Sequence, residues 1–376
     1  MNSGQKLGVY IHIPFCLRKC YYCDFCSFPD GDGEKMRQYA EELCRRIENS
    51  KELRGREVDT LYFGGGTPTI LPVGLFSLIM DSVRRTAILT ENAEVTAECN
   101  PATADLEYLR VLRTLGVNRL SIGLQSVHEK ELKALGRAHS FEDFKTTYGQ
   151  ARAAGYENIS ADLMYGIPHQ TSESFEESIR ALASLSPEHI SAYGLKVEKG
   201  TAFYKMGDSL KLPEEDEECQ MYLSMCQSLS ELGYKKYEIS NFSKKGFESR
   251  HNLKYWRGEE YLGFGLAAHS YFDGERFGNS RDMKGFLSGK NIECERTALD
   301  GQDRFNEYIM LSMRLTEGLC LSEFKRWAKK DFYEYFPFAR ELVKKGYLTE
   351  SGEHVAFTDR GALVSNTILT DMLDFD

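Results

Sequence analysis

The segment CLRKCYYCDFC, residues 16–26, sets four thiols within eleven positions near the start of the chain. Cys16, Cys20 and Cys23 follow a C-x3-C-x2-C spacing, with Cys26 three residues further on. Cysteine thiolates hold iron–sulfur clusters, and close spacing lets one loop wrap a corner of a four-iron cube. Three such ligands leave one iron without a protein ligand, open to a small molecule. A structural zinc site would need a fourth ligand, commonly from a second C-x2-C pair, and no such pair follows. A chance group of free thiols is the remaining alternative. The spacing favours a [4Fe-4S] cluster on Cys16, Cys20 and Cys23 and leaves Cys26 as a spare thiol. The other six cysteines are scattered and read as small buried apolar residues.

Other polar groups keep company with this loop. YFGGGTP, residues 62–68, ends a strand-like run in three glycines, which let a ligand approach bare backbone. Glu98 comes late in AEVTAECNP, Gln125 ends NRLSIGLQS, and Asp162 lies in NISADLMYGIP. Singly, each is a capped strand end or a solvated turn. Together they place polar groups at one end of one sheet, where the cysteine loop also begins, after YIHIP.

The elements that must position these groups alternate. LGVYIHIP, VDTLYFGGG, AEVTAECNP, NRLSIGLQS, NISADLMYGIP and HISAYGLKV read as six strands, with amphipathic helical stretches between them. That alternation predicts β-α units and a parallel sheet. Near Tyr234 the rhythm changes: YKKYEISNFS reads as another strand, then glycine- and aromatic-rich segments follow. From about Gln302 the pattern is helical, and the closing stretch reads as a short hairpin plus helix, in the manner of a winged helix. The expected organisation is a large domain over 1–240 and a smaller one over 241–376.

Bulk properties restrict the function. The chain has 376 residues, 41% hydrophobic and 28% charged, with a formal net charge of −10. No basic footprint invites nucleic acid. No apolar run reads as a signal peptide or a spanning helix, so a cytoplasmic, reducing setting is expected. Clustered cysteines there point to metal or redox chemistry rather than disulfides.

At this point the chain resembles a known family. C-x3-C-x2-C after YIHIPFC, followed by GGGTP, is similar to the signature of radical S-adenosylmethionine (radical SAM) proteins. SIGLQS, LMYGIPHQT and HNLKYW narrow the resemblance to the coproporphyrinogen-oxidase-like branch, and within it to HemW-type heme chaperones. The resemblance covers nearly the whole length. It implies an α/β fold: a partial (β/α)6 TIM-like barrel followed by a smaller α+β domain with a winged-helix-like end. It implies a [4Fe-4S] cluster whose open iron is chelated by SAM, heme as a further ligand, and electron transfer that releases a 5′-deoxyadenosyl radical in family enzymes.

The resemblance also implies roles for residues. Tyr10 packs near SAM, Tyr22 contacts the adenine side, and Gly65, Gly66 and Thr67 approach SAM through backbone. Glu98 holds a polar end of SAM. Gln125, Arg137 and Asp162 match positions that contact a second SAM in the oxidases. The oxidases carry a fourth cysteine two places after the third, where this chain has Phe25. They also carry a longer N-terminal extension, whereas fifteen residues precede Cys16 here. Both departures favour a heme chaperone that delivers to acceptors such as respiratory hemoproteins, over an oxygen-independent coproporphyrinogen III oxidase. Peripheral membrane contact and a homodimer accompany that reading. In HNLKYW, His251 is the heme-contact candidate, since imidazole suits axial iron and rings suit the macrocycle; the competing reading is a hydrogen-bonded core histidine. His12 and His269 are weaker candidates.

Overall fold

The structure, a computed structural model, describes residues 6–29 and 31–373. Six strands run parallel in chain order: β1 (Leu7–Ile13), β2 (Glu57–Gly65), β3 (Ile88–Cys99), β4 (Arg119–Gln125), β5 (Ile159–Tyr165) and β6 (His189–Gly194). β1, β4 and β5 are nearly buried on both faces, as a parallel sheet covered by helices must be, while β3 is buried only in its second half. The covering helices carry their apolar residues at helical spacing. In α1 (Gly33–Asn49), Met36, Tyr39, Ala40, Leu43, Cys44 and Ile47 all turn inward, each large apolar side chain contributing roughly 1.5–3 kcal/mol by burial. Asp32 caps the helix by accepting from the Glu34 N–H. The sheet curls, because side chains from β2 through β6 line one shared cavity. Among the described residues its two edge strands do not pair with each other, so the barrel is partial.

The run expected as one strand after Tyr234 is two. β7 (Lys235–Lys236) and β8 (Asn241–Ser243) form an antiparallel hairpin, and β8 pairs antiparallel with β6. Buried Glu238 makes the turn, accepting from the Ser240 N–H and the Asn241 amide.

The sheet also continues across the 240/241 boundary expected from sequence. β9 (Tyr261–Phe264) lies parallel to β1 on its free edge, with Val9 opposite Leu262. β10 (His269–Phe272), β11 (Glu275–Asn279) and β12 (Glu293–Ala298) extend it antiparallel to a twelve-stranded sheet. The architecture changes after β12: a separate apolar cluster gathers residues from Phe305 to Met372. Its small sheet comprises β13 (Leu319–Cys320), β14 (Leu348–Ser351) and β15 (His354–Phe357), the last two forming the expected hairpin before a helix at Ser365–Met372.

Candidate functional site

The carboxyl ends of the parallel strands open into a cavity of about 580 Å³. The cysteine loop is pinned over it from both sides. Phe15–Cys16 pairs with Phe28–Pro29 at the loop's base. The Tyr21 N–H donates to the Leu135 carbonyl, and the Phe203 N–H donates to the Tyr21 carbonyl, each at 3.0 Å. Cys16, Cys20 and Cys23 all line the cavity as free thiols. Among the described residues no three His, Cys, Asp or Glu groups converge as ligands of one metal ion. Cys26 is buried in the apolar core and its carbonyl accepts from His12 Nε2 at 2.8 Å.

The glycines bring backbone against the loop. The Gly66 N–H donates to the Ile13 carbonyl and the Thr67 N–H to the Phe15 carbonyl, both at 2.8 Å. A Cβ on Gly66 would collide with the Phe15 carbonyl group and approach Cys16 Sγ to 3.0 Å. Gly65 has φ +117°, and a side chain there would strike the His12 ring. Thr67 Oγ1 donates to Cys16 Sγ at 3.7 Å.

Glu98 accepts from Tyr62 Oη at 2.9 Å and from the Gly65 N–H at 3.0 Å. Burial pushes its carboxyl up to about 7, with Asp162 raising it further. Asp162, held by Ser121 Oγ at 3.1 Å, is likewise pushed by burial up to about 6. Gln125 sits at φ +65° with a buried Oε1 that has no partner. Arg137 donates to Asn100 Oδ1 at 2.9 Å, and its Nε is also buried and without a partner. These orphaned atoms on the cavity wall, beside two buried carboxylates, fit a polar ligand with both positive and negative groups. S-Adenosylmethionine is such a molecule.

Eight of the ten cofactor-binding candidates line this cavity: Tyr22, Gly65, Gly66, Thr67, Glu98, Gln125, Arg137 and Asp162. Tyr10 stands one layer behind, its ring stacked 6.1 Å from Tyr62 and its hydroxyl donating to His12 Nδ1 at 3.0 Å. His251 lies elsewhere again. It is buried in the helix Arg250–Trp256, with Nδ1 2.9 Å from Thr60 Oγ1 and Nε2 2.8 Å from Tyr255 Oη. Its ring stacks on Tyr62 at 5.2 Å, and burial lowers its pKa to about 3. Both ring nitrogens are thus employed, and an axial iron bond would have to break one of these contacts. His12 is buried and His269 exposed, both outside the cavity wall.

Two cavity residues escape sequence reading. Asn100 donates from Nδ2 to Thr67 Oγ1 at 2.7 Å, completing a line Arg137–Asn100–Thr67–Cys16. Arg119, only 2% exposed, brings a guanidinium to the cavity floor, its Nε without a partner. Its positive charge holds down the pKa of both Glu98 and Asp162. Asn100 follows Cys99 in AECNP and Arg119 opens the NRLSIGLQ strand, positions where a polar residue reads as a strand terminus.

Comparison with known proteins agrees with this geometry. The family model for the radical SAM superfamily matches residues 10–182, and that for the HemN C-terminal domain matches 299–364. The heme chaperone HemW of Bacillus subtilis is 35% identical, over 96% of this chain and 97% of that protein. The heme chaperone HemW of Escherichia coli is 34% identical over 98% of each. This chain belongs to the HemW family of radical SAM proteins. The solved structure of coproporphyrinogen III oxidase (HemN) from Escherichia coli, described as a radical SAM enzyme, superposes with a TM-score of 0.85. That match has 25% identity and covers 97% of this chain and 89% of the oxidase chain. Radical SAM membership implies a [4Fe-4S] cluster and SAM as cofactors, in keeping with the three thiols and the wall of this HemW-family cavity.

Proposed function

We propose that this protein is a heme chaperone that carries a [4Fe-4S] cluster and SAM, binds heme, and passes it to acceptor hemoproteins. The observation that carries the reading is similarity along the full chain to proteins named heme chaperones. Phe25, in place of the oxidases' fourth cysteine, supports it.

In this reading Cys16, Cys20 and Cys23 hold three irons. Thr67 and Asn100 donate in series toward Cys16, stabilising negative charge on its sulfur. Glu98 offers an anionic end for the ammonium of SAM, and Arg137 a cationic one for a carboxylate. Tyr22 shields the same space. The cluster and SAM supply one-electron reductive cleavage of a sulfonium bond when both are bound.

The competing reading is an oxygen-independent coproporphyrinogen III oxidase. The HemN superposition favours it, since the same strand ends carry the site. Heme hand-off separates the two. The cluster-reconstituted protein, loaded with heme and mixed with an apo b-type cytochrome, should transfer heme faster than free heme-albumin does. Transfer no faster than that control would contradict the chaperone reading. Among the described residues no helix is long and apolar enough to cross a membrane. In this reading the protein is cytoplasmic, forms a homodimer, and meets a membrane-bound acceptor by peripheral contact.

A further inference from the structure

Two apolar side chains stand out on the surface. Leu17 is 69% exposed and Phe25 is 67% exposed, the highest values for large apolar residues among the described residues. Both belong to the cysteine loop, and Phe25 also lines the cavity mouth. Phe25 offers a flat apolar face at the rim, and Leu17, next to Cys16 in the chain, is a second exposed apolar group on the same loop.

The charges beside them point to the occupant. Arg18 and Lys196 both line the cavity, one on the loop and one after β6. Both are exposed, and among the described residues neither has a carboxylate partner. Arg18 instead rests against Tyr21, donating to its Oη at 3.0 Å. Lys19 is committed, donating to the Phe25 carbonyl at 3.1 Å and so fixing the loop that presents the ring. The loop's acid, Asp24, is neutralised by Arg281 at 3.5 Å. In a chain of net charge −10, two cations without carboxylate partners and an exposed phenylalanine thus share this mouth.

We propose that the cavity mouth is the heme seat: the macrocycle lies against Leu17 and Phe25, and its two carboxylates meet Arg18 and Lys196. The proposal rests on the heme-chaperone reading and deepens it by locating the ligand. Heme is a flat apolar disc with two carboxylates on one edge, and the mouth offers both complements side by side. Heme would then cap the cluster-bearing cavity rather than enter the layer around His251. Glu198, two residues beyond Lys196 on the same rim, opposes the carboxylates.

The test is anaerobic heme titration of the reconstituted full chain, with cluster absorbance recorded for every variant. Heme and heme dimethyl ester, which lacks the two charges, are the probes. L17S/F25S should raise the Kd for both probes about tenfold. R18Q/K196Q should raise the Kd for heme alone and leave the ester unchanged, while E198Q should tighten heme. Should L17S/F25S fail to keep its cluster, the R18Q/K196Q pair decides by the difference between probes. Heme affinity unchanged in R18Q/K196Q overturns the proposal while leaving heme binding intact. A wild-type protein that binds no heme overturns the chaperone reading itself.

Discussion

Replacing Gly66 with alanine tests whether the glycine run exists to bring backbone against the cluster loop. An added Cβ would stand 2.9 Å from the Phe15 carbonyl carbon and 3.0 Å from Cys16 Sγ, against 3.4 Å for an ordinary contact. Backbone is the obstacle, so no rotamer change relieves it. The Phe15 carbonyl oxygen lies nearer still, so the loop must move by about 1 Å, and overpacking of this kind costs about 1–3 kcal/mol. The same movement strains the two flanking 2.8 Å hydrogen bonds, from Gly66 to Ile13 and from Thr67 to Phe15, each contributing about 1 kcal/mol. A total near 3 kcal/mol should lower the melting temperature of a 376-residue chain by about 4 °C. It should also displace Cys16 enough to reduce iron and sulfide retained after anaerobic reconstitution. Gly74→Ala is the control, because it lies in α2 (Val73–Thr86) with nothing within 4 Å of its Cβ. It should leave cluster content unchanged and raise stability slightly. Gly66→Ala with wild-type melting and wild-type iron content would refute the packing argument.

Other expectations follow from the same cavity. Burial raises Glu98 from 4.5 to about 7 and Asp162 from 3.8 to about 6, so the folded state binds protons more tightly than the unfolded chain. The resulting penalty is absent below pH 4 and complete above pH 7, worth roughly 3 kcal/mol for Glu98. Cofactor-free protein should therefore lose stability as pH rises from 4 to 7. Glu98→Gln should flatten that slope in denaturant melts, and an unchanged slope would dismiss the assignment. Arg119→Gln removes the cation that favours both ionised carboxylates, so the pH midpoint for SAM binding, followed by calorimetry, should move upward. His251→Ala deletes the contacts to Thr60 and Tyr255 and should cost about 2–3 kcal/mol. It should leave heme affinity within about twofold of wild type, because the mouth is a separate site. A tenfold loss of heme affinity with normal stability would return His251 to heme.

Much of this arrangement could be read in the chain because it is local. The six strands alternate with helical stretches, and a parallel sheet puts their carboxyl ends on one side. Glu98, Gln125 and Asp162 could thus be brought together without knowing any distance. What escaped depends on contacts distant in sequence. β9 joins β1 from about 250 residues away, and nothing in YLGF announces a parallel partner. Lys254, the centre of HNLKYW, is buried and spans to Asp59 at 3.0 Å and Glu259 at 2.8 Å. Lys254 and His251 therefore fasten the helix Arg250–Trp256 to β1 and β2, through the Lys6 carbonyl, Asp59 and Thr60. Arg119 escaped because a charged residue opening a strand normally faces solvent, whereas here the curl of the sheet turns it toward the cavity.

The central claim is that this cavity serves heme carriage. Its most direct test divides one anaerobically reconstituted, reduced, SAM-loaded preparation between heme and coproporphyrinogen III. Saturable heme binding in one half, with no protoporphyrinogen in the other, is the predicted outcome. Stoichiometric conversion of coproporphyrinogen III would contradict it, showing that Phe25 is no barrier to decarboxylation.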